Sequence, residues 1–192
     1  MLQDSPSFLA YWRNARSRTV RVLDALRPED LEWAPTPGAL SFGDLFRHLA
    51  GLERFMYAEN VQGRPSIYPG HGVALAAGLD GVRAYLDRCH AEALALFAQL
   101  SDADLLAPCV LRLTCPPPEG TPASSSQSRS LPAGASMATW KWLRAMAEHE
   151  AHHRGQLYLM ASLRGRPVAP LFGLTEQELA AKSEPKHGQS HR

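Results

Sequence analysis

The stretch that decides the fold is Ala147–Gln156, AEHEAHHRGQ, which carries three histidines within five residues. Around it, apolar and histidine side chains recur at alternating spacings of four and three, which is typical of the inward face of a bundle helix. An α-helix turns once every 3.6 residues, so His149 and His153 lie one turn apart on this face, and His152 lies off it. The whole face comprises Trp142, Met146, His149, His153, Gln156, Met160 and Leu163.

Two imidazoles one turn apart can direct their nitrogens at one metal ion. A single histidine on an apolar face is more often a hydrogen-bonded core residue, so the pair alone leaves both interpretations open. A metal site also needs a third ligand, which must come from elsewhere in the chain.

A second helix offers that third ligand. Ser41 is suited to cap its N-terminus, and Asp44 three residues later completes the pattern of a capping box. The buried face of this helix carries His48 between Leu45 and Leu49, about two turns in. Across an antiparallel bundle His48 can meet the later pair, and we therefore predict His48, His149 and His153 as metal ligands.

Helical patterns also cover about Ser7–Leu26 and about Asp80–Leu100. The last long helix is predicted to begin near Ser136 and to end at Gly165, where a terminating glycine belongs, and a short extra helix follows Thr175. Four long helices predict an all-α bundle in a single domain, residues 1–182. Arginines of the first helix are expected to be solvated; they are Arg13, Arg16, Arg18 and Arg21.

Two segments are predicted to lack a packed core. The connection over residues 115–136, before the last bundle helix, is rich in proline and serine and is expected to be mobile. A short strand around Val110, Leu111 and Leu113 precedes it. The polar tail 183–192 is expected to be disordered.

Composition excludes several classes of function. The 192 residues include 20 basic and 19 acidic side chains, a net charge of +1, which leaves no electrostatic footprint for nucleic acid or an anionic membrane. No apolar run approaches the roughly 20 residues that span a bilayer. The N-terminus does not resemble a secretory signal, and Cys89, Cys109 and Cys115 lack metal-ligand spacing. We therefore expect a cytoplasmic protein with a small-molecule substrate.

Three imidazoles with one open position are typical of a catalytic metal site, in which the metal activates a bound water or thiol. Ligating histidines donate their second nitrogen to outer partners, for which Gln156 and Glu150 are available. Imidazole ligands favour zinc or nickel, with iron, cobalt or manganese as further candidates.

The residues His149-Glu150-x-x-His153 also match the zinc-peptidase pattern, with Glu150 as a candidate general base. Leu159 stands where the metzincin extension of that pattern has its third histidine. We give this interpretation less weight.

The motif at His149–Leu157, together with Trp33–Leu49, resembles the DinB/YfiT-like superfamily. The resemblance implies an up-down four-helix bundle, a divalent metal held by His48, His149 and His153, and a homodimer. The long connection before the last helix departs from the compact loop of that family.

The activity that this resemblance implies is metal-dependent transfer or isomerisation with a low-molecular-weight thiol, such as bacillithiol or mycothiol, as co-substrate. Other members resemble metal-dependent hydrolases. A non-enzymatic metal-binding or interaction protein of the same fold is the competing class.

Overall fold

The computed structural model describes residues 4–110 and 136–183, and in this part the chain is mainly helical. A π-helical turn, Glu53–Tyr57, joins two of the helices, and 3₁₀ turns occupy Pro28–Asp30 and Val73–Leu75. The elements are α1 (Ser5–Ala25), α2 (Phe42–Leu52), α3 (Ala58–Val61), α4 (Gly78–Phe97), α5 (Asp102–Leu106), β1 (Pro108–Val110), β2 (Ser136–Ala138), α6 (Thr139–Leu163) and α7 (Glu176–Ser183). The predicted all-α class is confirmed.

The four long helices of the described residues surround one core. Helix α1 packs against α6 and α4, and α2 packs against the same two helices. Core residues fall into two clusters, and α1 and α6 begin in one cluster and end in the other. Core residues of α2 and α4 occur in the opposite order, so α1 is parallel to α6, α2 is parallel to α4, and the two pairs are antiparallel. The helices thus run up, down, down and up, because residues 62–77 carry the chain back before α4 begins.

The core consists of two apolar clusters stacked along the bundle axis. Phe8, Phe97 and Leu143 belong to one cluster, and Phe46 and Leu157 belong to the other. On each long helix, or directly after it in the case of α2, a polar side chain lies between the residues that belong to one cluster and those that belong to the other. These residues form what we call the polar layer: Arg16 and Thr19 on α1, Glu53 after α2, His90 on α4 and Glu150 on α6.

One end of each histidine-bearing helix is fixed by local sequence. The Ser41 hydroxyl accepts from the Asp44 amide while the Asp44 carboxylate accepts from the Ser41 amide, so the predicted capping box begins α2. Gly165, with φ of +64°, follows the end of α6, and its left-handed conformation lets the Arg166 amide bond back to the carbonyl of Ala161.

The prediction that the last helix begins near Ser136 is wrong by three residues. Ser136–Ala138 pairs antiparallel with Pro108–Val110, with Cys109 opposite Met137, so these residues form a strand and α6 begins at Thr139. The predicted short strand is confirmed at Val110, while Leu111 and Leu113 lie outside the described residues.

Two predicted helix faces need correction. Arg16 is not solvated but only 3% exposed, in the polar layer. On α6, Leu163 is exposed, whereas Leu143, Glu150 and Leu157 are buried. The buried face of α6 is therefore rotated relative to the predicted one, and this rotation moves His149 to its edge.

Most of the predicted connection, residues 111–135, and the tail from residue 184 lie outside the described residues, as do residues 1–3. The expectations about their mobility, and the single-domain boundary, stay predictions. Among the described helices, none combines the length and apolarity needed to cross a membrane.

Candidate metal centre

The structure brings the three predicted ligands together. His48 on α2 faces His149 and His153 on the antiparallel α6. The Nε2 atom of His149 lies 3.2 Å from Nε2 of His48 and 3.0 Å from Nε2 of His153. One ligand atom from each residue lies within 4.8 Å of the other two. Residues about a hundred positions apart in sequence thus form one cluster of imidazole nitrogens.

The cluster lies at the edge of the buried face, within reach of solvent. His48 and His149 are half-buried, and His153 is 9% exposed. His152 is exposed, as expected, and its ring packs on the ring of His153 outside the cluster. Each of the three histidines therefore keeps part of its surface in contact with solvent.

Outer hydrogen bonds orient two of the rings. The Nδ1 atom of His153 lies 2.6 Å from the amide oxygen of Gln156, an acceptor, so Nδ1 carries the proton. The Nδ1 atom of His48 lies 2.6 Å from the hydroxyl of Tyr68. The proton on Nδ1 leaves Nε2 of His153 its lone pair for a ligand, and the hydroxyl of Tyr68 is able to accept the Nδ1 proton of His48 in the same way.

Sequence reasoning missed Tyr68. It lies in the loop 62–77, where its hydroxyl also lies 3.1 Å from Nδ1 of His71. The hydroxyl of Tyr68 therefore links His48 to the half-buried His71 through two hydrogen-bond contacts. Its glycines and prolines indicate a loop, but no periodic spacing relates a loop residue to a helix face, so the sequence held no signal for this contact.

The three nitrogens fit a transition-metal ion. Two zinc–nitrogen bonds of 2.0–2.1 Å at a tetrahedral angle separate their nitrogens by about 3.3 Å, close to the two Nε2 separations of 3.0 and 3.2 Å. Neutral imidazoles are the ligands that zinc, nickel, iron and cobalt share.

The surroundings keep these imidazoles neutral. Burial, followed by the neighbouring histidines, lowers the pKa of His48 to about 3. Burial and the neighbouring His153 lower the pKa of His149 to about 4. Burial also lowers the pKa of His153, although the hydrogen bond to Gln156 opposes this shift. At neutral pH all three rings are in the form that binds a metal.

These shifts predict that the metal-free protein loses stability as the pH falls. Because the folded-state pKa values of His48 and His149 lie below the unfolded value of about 6.5, the unfolded chain binds more protons below that pH. Stability is therefore full above about pH 6.5 and declines below it. We expect the urea midpoint to fall between about pH 7.5 and about pH 5, a window above most carboxylate titration.

The control for this prediction is His48→Gln, which removes one of the titrating groups. The midpoint of this variant should fall less over the same pH interval. A wild-type midpoint that stays constant, or rises towards acid, would contradict the neutral imidazole cluster.

Glu150 occupies a different environment from the histidines that flank it. Its carboxylate accepts from the hydroxyl of Thr19 at 2.5 Å and pairs with Arg16 at 3.3 Å, both on α1. It is 1% exposed, and burial is the main reason that its pKa is raised. Two residues were predicted to hydrogen-bond the ligating histidines from outside. Gln156 does contact His153, whereas Glu150 contacts Thr19 and Arg16 in the polar layer.

Other chemically reactive residues lie elsewhere. His90 bonds through Nδ1 to the carboxylate of Glu53 at 2.7 Å in the polar layer. Cys89 and Cys109 are buried, and burial raises the pKa of both thiols, that of Cys109 to about 11. Both are therefore inert as nucleophiles at neutral pH, and Cys115 lies outside the described residues.

A helical bundle with three histidines from two helices defines a class of candidate metalloproteins. The family model described as DinB superfamily matches residues 11–157. The chain therefore belongs to the DinB superfamily, as the motifs at His48 and His149 indicated. No curated protein matches the chain.

Solved structures show the same fold at low sequence identity. A DinB-like protein of Bacillus cereus ATCC 10987 aligns with a TM-score of 0.66 and 18% identity, over 88% of this chain and 99% of that one. A DinB-like protein of Bacillus subtilis aligns with a TM-score of 0.58 and 13% identity, over 85% and 95%. An uncharacterised protein of Escherichia coli UTI89 aligns with a TM-score of 0.53 and 16% identity, over 86% and 97%.

Proposed function

We propose that the protein is a metal-dependent enzyme that holds one divalent transition metal with His48, His149 and His153 and activates a thiol or water nucleophile. The observation that carries this proposal is the convergence of one nitrogen from each of three partly buried histidines, within 4.8 Å of one another. The cluster found in residues 4–110 and 136–183 contains three protein ligands, one fewer than a closed structural zinc site.

A bound divalent metal would supply Lewis acidity that lowers the pKa of a neighbouring thiol or water. The residues of this chain supply the geometry. His48, His149 and His153 present neutral nitrogens, while Tyr68 and Gln156 hold two of the rings. The ring of Tyr57 lies 6.4 Å from the ring of His149, and burial raises its pKa to about 12, so its phenol stays neutral.

Thiol transfer is the form of this proposal that the resemblance supports, with a low-molecular-weight thiol as co-substrate. Zinc and nickel accept both thiolate and water ligands, so hydrolysis is the second form. A small-molecule substrate, a cytoplasmic location and assembly as a homodimer belong to the same proposal.

The outer contact of Tyr68 leads to a prediction about metal affinity. Tyr68→Phe retains the ring but removes the hydroxyl that holds Nδ1 of His48, so zinc affinity should fall about tenfold. Competition with a chromophoric chelator measures this affinity. Tyr11→Phe, which alters an exposed tyrosine of α1, is the control. Equal affinities in the wild type and Tyr68→Phe would show that the hydroxyl does not orient His48.

The reaction itself is tested with two probes on zinc-loaded and nickel-loaded protein. Alkylation of N-acetylcysteine by monobromobimane reports on thiol activation, and hydrolysis of 4-nitrophenyl acetate reports on water activation. We expect the wild type to accelerate at least one reaction at neutral pH and His149→Ala to lose the acceleration. Loaded wild-type protein that accelerates neither probe, nor any member of a wider panel of thiols and esters, would favour the non-enzymatic alternative.

The peptidase alternative makes a separate prediction. It requires that Glu150→Gln abolish activity while metal stays bound. The pairing of Glu150 with Thr19 and Arg16 supports a structural role for this carboxylate, so we expect Glu150→Gln to remain active. Loss of activity in a fully loaded Glu150→Gln protein would revive the peptidase interpretation.

A further inference from the structure

Arg16 connects three elements at the level of the histidine cluster. Its Nη2 donates to a carboxylate oxygen of Glu53 at 2.6 Å and to the main-chain carbonyl of Leu49 at 3.4 Å. Its Nη1 lies 3.3 Å from a carboxylate oxygen of Glu150. Leu49 directly follows His48, and Glu150 directly follows His149. One guanidinium on α1 therefore contacts the immediate neighbours of two predicted ligands on α2 and α6.

The surroundings bury Arg16 together with its two carboxylate partners. Its side chain is 4% exposed, and those of its partners Glu53 and Glu150 are 1% and 2% exposed. Glu53 also accepts from Nε1 of Trp12 at 2.5 Å and from His90, and Thr19 holds the other oxygen of Glu150. Buried charges are costly and are retained only with several good partners. These buried contacts link α1 to the end of α2 and to α6.

Glu53 reaches this position as the residue that follows α2 and begins the π-helical turn. A π turn inserts one extra residue into a helix and rotates the side chains that follow. Here it begins at Glu53, directly after α2, and Glu53 and Tyr57 are its buried residues. Glu53 lies five residues after His48, which is about 140° further around the helix, so its carboxylate meets Arg16 while His48 faces α6.

We infer that Arg16 is a positioning residue for the three-histidine site, which holds α2 and α6 at the separation and register that bring His48 to His149 and His153. The inference rests on the proposed metal site. Helix α1 supplies no metal ligand, but through Arg16 it sets the positions of the two helices that do. Arginine suits this task because its planar fork contacts several acceptors at once, whereas lysine presents a single ammonium.

The test compares Arg16→Lys with the wild type in two measurements. Zinc affinity should fall about tenfold to a hundredfold, the range seen when outer partners of a metal site are changed. In the metal-free protein, nuclear Overhauser contacts between the rings of His48 and His149 should weaken or disappear. Both are measured at a temperature at which circular dichroism shows the variant folded.

Asp30→Asn is the matched control. Asp30 is fully buried and pairs with Arg164 and Arg166, beyond the end of α6 and about three turns from His153. This variant should lower the melting temperature but leave zinc affinity and the ring contacts unchanged. If Arg16→Lys behaves like this control, with lower stability and wild-type affinity and ring contacts, Arg16 is merely structural and the inference is overturned.

Glu150→Gln keeps the test decisive if Arg16→Lys does not fold. It retains the size and acceptor oxygen of the side chain while weakening its pairing with Arg16, so a loss of zinc affinity of a few fold is expected. Unchanged affinity and ring contacts in this variant would also overturn the inference. Wild-type protein that binds no zinc would refute the proposed function instead, and the ring contacts of the metal-free protein would then still decide the role of Arg16.

Discussion

His149→Ala is expected to lower zinc affinity by about two orders of magnitude, because the variant loses one of three ligands. Binding free energies of about 10–16 kcal/mol for four-ligand zinc sites correspond to about 2.5–4 kcal/mol per ligand, which is a factor of roughly 60–700. His149 is the central member of the cluster, since its Nε2 contacts both other Nε2 atoms. Competition with a chelator of known affinity measures the change.

His152→Ala is the control for this experiment. It removes a histidine from the same helix and the same motif, but one that is exposed and outside the cluster. Its zinc affinity should match that of the wild type. Equal losses in the two variants would mean that zinc binds to exposed histidines of α6 and not to the cluster with His48.

Trp12→Ala is expected to destabilise the protein by about 4 kcal/mol, in the range for truncating a large buried aromatic side chain. Trp12 is fully buried in the apolar cluster next to the polar layer. Truncation also removes the indole donor that lies 2.5 Å from Glu53, a buried carboxylate that depends on its partners. Urea unfolding of the metal-free proteins at neutral pH measures the difference in free energy.

Two variants separate the contributions to this loss. Tyr11→Ala changes an adjacent residue that is 46% exposed and should alter stability by less than about 0.5 kcal/mol. Trp12→Phe restores much of the packing but not the N–H donor, so it should lie between Trp12→Ala and the wild type. A loss below about 1 kcal/mol for Trp12→Ala would contradict the close packing of this cluster.

The sequence was sufficient for the parts of the fold that depend on local or periodic signals. The capping box at Ser41 and the left-handed Gly165 act over a few residues, so the start of α2 and the end of α6 were predicted closely. The pairing of His48 with His149 and His153 followed from helix periodicity and the expectation of antiparallel neighbours. The family motif pointed to the same three residues.

The polar layer could not be predicted, for a physical reason. A helix with several arginines is predicted to expose them to solvent, as was expected for Arg16. The sequence near Arg16 does not indicate that Glu53 and Glu150, which are distant in sequence, compensate its charge inside the core. The π turn at Glu53 also breaks the 3.6-residue period on which the assignment of faces relied. Tyr68 was missed because a loop has no period at all.

The most direct test of this account is elemental analysis of the protein purified without a histidine tag and incubated with zinc, beside His48→Ala and His149→Ala. We expect about one zinc ion per wild-type chain, as for a mononuclear site, and little or none in either variant after desalting. Loss in both variants would show that helices α2 and α6 share one site. Absence of zinc, nickel and manganese from the wild type after incubation, or full retention in His48→Ala, would contradict the three-histidine metal centre.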